Sequence, residues 1–111
     1  MKVSIIIPVI RPEKAERCIS LAKENAGIKR DDIEIVALED KNLIGCPKMV
    51  KLLTDISSGK YICFLGDDAI PQPGFIKYAL EDMKKCKGWW GLVGFNDLTG
   101  RGFANHWIAS R

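Results

Sequence analysis

Two adjacent carboxylates, Asp67 and Asp68, lie one glycine beyond the apolar segment 61–65, whose composition predicts a buried strand. Open α/β sheets bind their ligands at the carboxyl ends of the strands. Neighbouring carboxylates repel each other unless a cation or hydrogen-bond donors compensate their charge. A divalent ion such as Mg²⁺ or Mn²⁺ meets that need, and when few carboxylates hold it, substrate phosphates usually complete its shell. The pair therefore predicts a metal-assisted site for a phosphate-bearing substrate, with a simple turn and helix cap as the alternative.

Alternating apolar and amphipathic segments predict the elements that carry this pair. The first strand, Val3–Val9, is rich in β-branched residues, which is typical of a strand covered on both faces. The predicted strands are 3–9, 33–38, 61–65 and 89–95. The predicted helices begin near Pro12, Pro47 and Pro73, and they end at Gly27, Gly59 and Gly88. This order predicts parallel βαβ units in one domain over residues 1–111. We expect an α/β fold that is Rossmann-like, with three layers (α/β/α) around a mainly parallel sheet.

The C-terminal segment 96–111 departs from this alternation. Glycines and polar residues lead into a short apolar run, 106–109, with no cap or turn behind it. A strand of this kind needs a neighbour to pair with, and we expect that neighbour outside this chain. The segment therefore predicts a truncated or minimal protein, or a homodimer that completes the sheet.

Polar residues follow each of the first three predicted strands. Arg11 follows the first strand, Glu39 and Asp40 follow the second, and Asp67 and Asp68 follow the third. The carboxyl ends of parallel strands lie at the same edge of a sheet, where the crevice of an open α/β fold binds ligands. We therefore expect these three clusters to meet at one site.

Composition and charge exclude several classes of protein. The 111 residues are 47% hydrophobic and 28% charged, which is ordinary globular composition. The net charge of +3 comes from scattered basic residues without interleaved aromatics, so we expect no nucleic-acid partner. No apolar run approaches the roughly 20 residues that span a bilayer, so no transmembrane segment is expected. Four cysteines without CxxC spacing favour free thiols in a reducing, cytoplasmic setting over a zinc site.

Three segments carry a resemblance to a known family: VSIIIPVIRPEKAERCI, IEIVALED and YICFLGDDAIPQPGF. Together they resemble the nucleotide-sugar-binding half of GT-A fold glycosyltransferases, especially those of family 2, over roughly residues 3–83. The resemblance implies a nucleotide-diphosphate sugar as donor, a divalent metal (Mn²⁺ or Mg²⁺) as cofactor, and transfer of the sugar to an unknown acceptor. In that family the acceptor-binding half lies further along the chain, so we expect it to be missing or reduced here.

The resemblance also implies roles for individual residues. Asp68 matches the position that ligates the metal bridging the diphosphate. One carboxylate after the second strand would accept a hydrogen bond from the base, and Asp67 would face the sugar or the ribose. Pro8 and Ile10 match the loop beside the base and ribose. The complete set of implied substrate-binding residues is Pro8, Ile10, Glu39, Asp40 and Asp67.

Two late residues complete the implied site. His106 lies in a segment, GFND followed by NHWIASR, that resembles one seen in some family members, and it would approach the diphosphate or the metal. An inverting transferase needs a carboxylate that deprotonates the acceptor hydroxyl, and Asp97 is the only late carboxylate available. The chain differs from the family's pattern at Gly66, where an aspartate is frequent, and at Ile10, where an aromatic is common.

Other functions are compatible with a similar sheet. A non-catalytic or truncated nucleotide-binding module would share the donor site and transfer nothing. A nucleotidyltransferase would need a glycine-rich basic loop after the first strand, whereas residues 8–12 contain no glycine. A phosphoacceptor signalling domain would need a carboxylate at the end of the first strand, and this chain has none there. The nucleotide-binding module is therefore the main alternative to a transferase.

Overall fold

Among the described residues, strands and helices alternate as far as residue 95, as the apolar pattern predicts. The structure, a computed structural model, describes residues 3–85, 92–95 and 106–110, and for 92–95 and His106 it describes the backbone only. The strands are β1 (Val3–Val9), β2 (Ile33–Glu39), β3 (Tyr61–Phe64), β4 (Leu92–Phe95) and β5 (His106–Ser110). The helices are α1 (Pro12–Asn25), α2 (Cys46–Ile56) and α3 (Phe75–Lys85), and a short 3-10 turn, Arg30–Asp32, precedes β2. None of the described helices is long and apolar enough to cross a membrane.

The five strands form one mixed sheet in the order β2-β1-β3-β5-β4. β1 pairs in parallel with β2 on one side and with β3 on the other. β5 runs antiparallel to both of its neighbours, β3 and β4. Four strands therefore point in one direction and β5 points in the other. The prediction of an α/β fold with a mostly parallel sheet is confirmed, with β5 as the exception.

The expectation that segment 106–109 pairs outside this chain was wrong. Ile108 of β5 is fully buried, and it lies opposite Cys63 of β3 and Val93 of β4. These pairings join segments that are far apart in sequence, and a local apolar pattern carries no information about them. Because β5 is paired on both sides, it does not need a second copy of the chain to complete the sheet. The predicted homodimer therefore has no support from this strand and stays an untested prediction.

Alternation along β1 divides the core between the two faces of the sheet. Ile5 and Ile7 belong to a buried cluster that includes apolar residues of α1 and α3. Ile6 belongs to a second cluster on the opposite face, where it packs with Leu53 of α2. Successive side chains of a strand point to opposite faces, so α1 and α3 cover one face of the sheet and α2 covers the other.

The end of α1 is joined to the start of α3 by backbone hydrogen bonds. The N–H of Gly74 donates to the carbonyl of Asn25 at 2.6 Å, and the N–H of Lys77 donates to the carbonyl of Ala26 at 3.0 Å. The Asn25 amide also donates to the carbonyl of Pro71 at 2.9 Å. Helix termini leave backbone groups without intrahelical partners, and here each terminus supplies partners for the other. This junction anchors the loop 66–74, which carries the acidic pair.

Polar contacts also hold the opposite, amino-terminal edge of the sheet. Buried Ser4 donates its hydroxyl hydrogen to Glu34 at 2.7 Å and accepts a hydrogen bond from the N–H of Gly59 at 2.8 Å. Glu34 also accepts hydrogen bonds from the N–H and the hydroxyl of Ser58, at 2.8 and 2.9 Å. A buried hydroxyl or carboxylate is tolerated when its hydrogen bonds are made inside the protein. These bonds attach the loop before β3 to β1 and β2.

Gly27 is where the helix junction is tightest, and its replacement should weaken the fold. It has φ +79°, and a Cβ there would lie 3.0 Å from the Cα of Gly74 and from the Cβ of Lys77. We expect Gly27→Ala to lower the free energy of unfolding by roughly 2–3 kcal/mol, through left-handed backbone strain plus displacement of the facing backbone. Equilibrium unfolding in urea measures this.

Gly74→Ala is the matched control, because Gly74 has nearly the same φ, +81°. Its Cβ would meet the ring of Tyr78, an exposed side chain that can rotate away. Its cost should therefore be close to the backbone strain alone, roughly 1–2 kcal/mol. Equal losses in the two variants would show that the close approach at Gly27 contributes nothing.

Candidate functional site

Asp67 is a buried carboxylate that joins the end of β3 to the loop between β1 and α1. Its Oδ2 accepts hydrogen bonds from the backbone N–H groups of Ile10 at 2.9 Å and of Arg11 at 2.8 Å. Its Oδ1 accepts from the Arg11 side chain, from Nε at 3.1 Å and from Nη2 at 2.6 Å. The residue is only 3% exposed. Both carboxylate oxygens are therefore fully engaged by donors of the protein itself.

These contacts determine the charge state of Asp67. Burial by itself would raise the pKa of the carboxyl, because desolvation disfavours its charged form. The hydrogen bonds from the Arg11 side chain and from the two backbone N–H groups outweigh burial, and the pKa of Asp67 is lowered. Asp67 is thus a carboxylate at neutral pH, held next to a permanently charged guanidinium.

Asp68 has a different environment from its neighbour. Its side chain is 36% exposed, and its Oδ2 lies 3.5 Å from Nη1 of Arg11. That separation is long for a hydrogen bond, so the contact is a loose ion pair. Arg11 therefore compensates the acidic pair, a task that the sequence led us to assign to a metal. The sequence contained one signal for this pairing. Arg11 follows β1, the parallel neighbour of β3, so its charge was expected at the same edge of the sheet as the acidic pair.

Asp40 builds the loop that leads into α2. Its side chain accepts hydrogen bonds from the backbone N–H groups of Ile44 and Gly45, each at 2.9 Å. Its own N–H donates to the carbonyl of Val9 at 2.7 Å, which attaches the loop to the end of β1. Asp40 is buried, whereas Glu39 is exposed at the end of β2. Of the two predicted base-binding carboxylates, only Asp40 is turned into the interior.

A cleft of about 370 Å³ opens at the carboxyl ends of β1 and β3, beside the start of α2. Five of its lining residues are apolar: Pro8, Ile10, Leu43, Met49 and Phe64. The Phe64 ring is stacked on Trp107 of β5, with 5.7 Å between ring centroids. Arg11, Asp40 and Asp67 supply the charged groups of the lining. An apolar cleft with a few convergent polar groups is the usual form of a small-molecule site.

The predicted site residues are brought together only in part. The cleft is lined by four of them: Pro8, Ile10, Asp40 and Asp67. Glu39 and Asp68 are not among the lining residues, although Asp68 lies next to Arg11. Asp97 lies outside the described residues. His106 begins β5, opposite Phe95, and its side chain is likewise outside the described part of the chain.

The three described cysteines are divided between the core and the cleft, and Cys86 lies outside the described residues. Cys18 and Cys63 are buried thiols, as their positions in apolar segments predict, and burial raises the pKa of Cys63. Cys46, by contrast, is exposed at the start of α2 and lines the cleft. Nothing in its sequence surroundings indicated this position, because it depends on the fold of the loop 40–45.

The acidic pair fits a metal only through Asp68. Within residues 3–85 and the two described strand segments beyond them, no group of three His, Cys, Asp or Glu side chains could hold a metal ion. Asp67 has no acceptor position to spare, since four donors of the protein occupy it. A divalent ion held by one carboxylate takes its other ligands from water and substrate phosphate. The geometry thus fits an ion that arrives with its substrate rather than a resident one.

Comparison with known proteins adds no identification. No protein-family model matches the chain, and a search of curated proteins gives no significant match. The glycosyltransferase resemblance therefore rests on the three sequence segments that suggested it.

The buried contacts of Asp67 predict a large effect of its neutralisation. Asp67→Asn removes the charge facing Arg11 and turns amide hydrogens toward the donors that Asp67 accepts from. We expect the free energy of unfolding to fall by roughly 2–3 kcal/mol, because two backbone N–H groups and the half-exposed Arg11 lose a charged acceptor at a buried position. Asp55→Asn is the matched control: Asp55 forms an exposed pair with Lys51 at 2.9 Å, and its loss should cost less than about 0.5 kcal/mol. Similar losses in the two variants would contradict the role assigned to Asp67.

The lowered pKa of Asp67 predicts the pH dependence of the same difference. The stability that ionised Asp67 contributes is present above the ordinary aspartate pKa of about 3.9 and is lost as the pH falls through its lower folded-state pKa. The difference in unfolding free energy between wild type and Asp67→Asn should therefore be constant from neutral pH down to about pH 5 and shrink below about pH 4. Urea unfolding at several pH values measures it, and a difference that stays unchanged on acidification would rule out the ionised contact.

Proposed function

We propose that the cleft binds the nucleotide part of a nucleotide-diphosphate sugar, in a GT-A-like glycosyltransferase domain with a Rossmann-like sheet. The observation that carries the proposal is the convergence of three polar clusters on one apolar cleft. Arg11, Asp40 and Asp67 come from the ends of β1, β2 and β3, and all three line it. Ligands of open α/β sheets bind at this edge. The motif resemblance supports the sugar nucleotide as the class of ligand.

The apolar part of the cleft suits a nucleobase. Pro8, Met49 and Phe64 offer flat or adaptable apolar surface. Buried Asp40 accepts one backbone hydrogen bond at each of its two oxygens, and a carboxylate oxygen has room for a second donor. In this proposal Asp40 accepts the additional hydrogen bond from an N–H of the base, and Glu39 stays at the exposed rim.

The phosphates would lie toward Arg11 and Asp68. Asp68 is the accessible carboxylate there, and with the diphosphate oxygens it would hold a Mn²⁺ or Mg²⁺ ion. Such an ion stabilises the negative charge that develops on a leaving diphosphate. Asp67 would act indirectly, by holding Arg11 and the loop at Ile10. The direct contact of Asp67 with sugar or ribose, implied by the resemblance, would require displacing one of its present donors.

A nucleotide-binding module without transferase activity is the second candidate. Transfer to an acceptor hydroxyl needs a carboxylate with proton-accepting capacity near the sugar. Asp40 and Asp67, the two carboxylates among the described lining residues, are both engaged in backbone or guanidinium hydrogen bonds. Asp97, the predicted base, lies outside the described residues. Product formation from a bound donor, measured against a no-enzyme background, separates the two candidates.

Nucleotide binding is tested by thermal unfolding with UDP, GDP, dTDP or CDP, each with Mn²⁺ or with EDTA. A ligand present at 100 times its dissociation constant adds about 2.7 kcal/mol of stability, which is a shift of several degrees in a domain of this size. We expect a shift with one nucleotide that is larger with Mn²⁺. Absence of any shift with all four nucleotides would contradict the proposed function.

Asp68→Ala tests the metal assignment separately. Loss of this carboxylate should abolish the additional shift caused by Mn²⁺, because the ion loses its protein ligand. Asp55→Ala, which removes an exposed carboxylate far from the acidic pair in sequence, should leave that additional shift unchanged. An unaltered Mn²⁺ effect in Asp68→Ala would remove Asp68 from the metal site.

A further inference from the structure

We propose that Arg11 is an anion-binding residue of the cleft, which holds a phosphate group of the nucleotide without the help of a metal ion. The inference rests on the proposed function for the identity of the ligand. It goes beyond that function by assigning the phosphate contact to a side chain that no motif indicated, and by predicting a metal-independent component of binding.

The charges of the lining identify Arg11 as the group an anion would meet. Among the described residues that line the cleft, Arg11 is the only cation. The charge of Asp40 is met by two backbone N–H groups, and that of Asp67 by the guanidinium and two more. The loop before α2 is therefore already occupied by Asp40 and offers little to a phosphate. Arg11 is therefore the charged donor in this lining that an anion can meet, through the hydrogens that Asp67 leaves unused.

Arg11 also keeps donors that Asp67 does not use. A guanidinium carries several N–H donors in a planar fork, and the short contacts to Asp67 involve Nε and Nη2. Among the described residues, Nη1 makes only the 3.5 Å contact with half-exposed Asp68. The side chain is 41% exposed, so this edge of the guanidinium is accessible to a ligand. Guanidinium and phosphate are well matched for charge-assisted hydrogen bonds.

The guanidinium is held in place before any ligand arrives. Asp67 fixes the Arg11 backbone through one oxygen and the Arg11 side chain through the other. Ordering a long side chain opposes binding, and here that ordering has already occurred in the folded chain. A pre-positioned arginine can therefore contribute more to anion binding than a mobile surface lysine would.

Asp68 then competes with the phosphate for the same edge of Arg11. In the absence of a metal, the Asp68 charge is near the site where the phosphate would lie and repels it. Neutralising Asp68 should strengthen metal-free phosphate binding and weaken the metal-dependent part. The weaker metal-dependent part follows already from the metal role proposed for Asp68. The stronger metal-free binding, by contrast, requires a phosphate contact at Arg11, and a purely structural Arg11 does not predict it.

The experiment compares the binding of a nucleoside, its monophosphate and its diphosphate in the presence of EDTA. The nucleoside carries the base that gives the largest thermal shift, and calorimetry measures each dissociation constant. For the wild type we expect the diphosphate to bind about tenfold more tightly than the nucleoside, which corresponds to one exposed charge-assisted contact. This gain should decrease at high salt. Asp68→Asn, which leaves the Asp67 contacts in place, should enlarge the gain several-fold, and Asp55→Asn should leave it unchanged.

Arg11→Lys provides the second variant, because it keeps the charge but lacks the planar fork. We expect it to lose most of the phosphate gain while still binding the nucleoside, and its unfolding curve shows whether the domain is intact. The inference would be overturned if the nucleoside and the diphosphate had equal dissociation constants in EDTA and the diphosphate bound more tightly only with Mn²⁺. The proposed function would still stand in that case. A smaller gain in Asp68→Asn would also overturn the inference. No binding of any nucleotide, with or without Mn²⁺, would overturn both.

Discussion

A single buried carboxylate connects the parts of this domain that form the cleft. Asp67 extends from the end of β3 and holds the backbone and side chain of Arg11, together with the N–H of Ile10. Those contacts set the path of the chain from β1 into α1 and the direction of the guanidinium. Asp67 depends on this pairing more than Arg11 does, because Asp67 is buried whereas the Arg11 side chain is 41% exposed. The cleft between this loop and the start of α2 therefore depends on the Asp67 contacts.

The acidic pair combines two different environments in adjacent residues. Asp67 faces inward and is saturated with hydrogen bonds, whereas Asp68 is half-exposed beside the same guanidinium. In the proposed site, the balance between Arg11 and Asp68 would decide how an anionic ligand is held. With a divalent ion Asp68 would support binding, whereas without one Arg11 would carry the attraction and Asp68 would oppose it.

The sequence predicts much of the fold because its local patterns are strong. The β-branched run of β1, and the prolines and glycines around the helices, place the elements and the parallel pairing of β1 with β2 and β3. The insertion of β5 between β3 and β4 was not predictable in this way, since it joins distant segments. At the site, the sequence indicated the meeting of three polar clusters but not which charges pair. That Asp67 is engaged by Arg11, and that Cys46 faces the cleft, depends on loop geometry that no periodicity encodes.

Alkylation of Cys46 tests most directly whether the cleft is the nucleotide site. This thiol is exposed and lines the cleft, while Cys18 and Cys63 are buried and serve as internal controls. The alkylation rate of each cysteine can be followed by peptide mass spectrometry with and without the stabilising nucleoside diphosphate. We predict that the nucleotide slows modification of Cys46 strongly, in proportion to occupancy, while Cys18 and Cys63 stay unmodified throughout. A nucleotide that stabilises the domain yet leaves the Cys46 rate unchanged would place the binding site elsewhere and contradict this account.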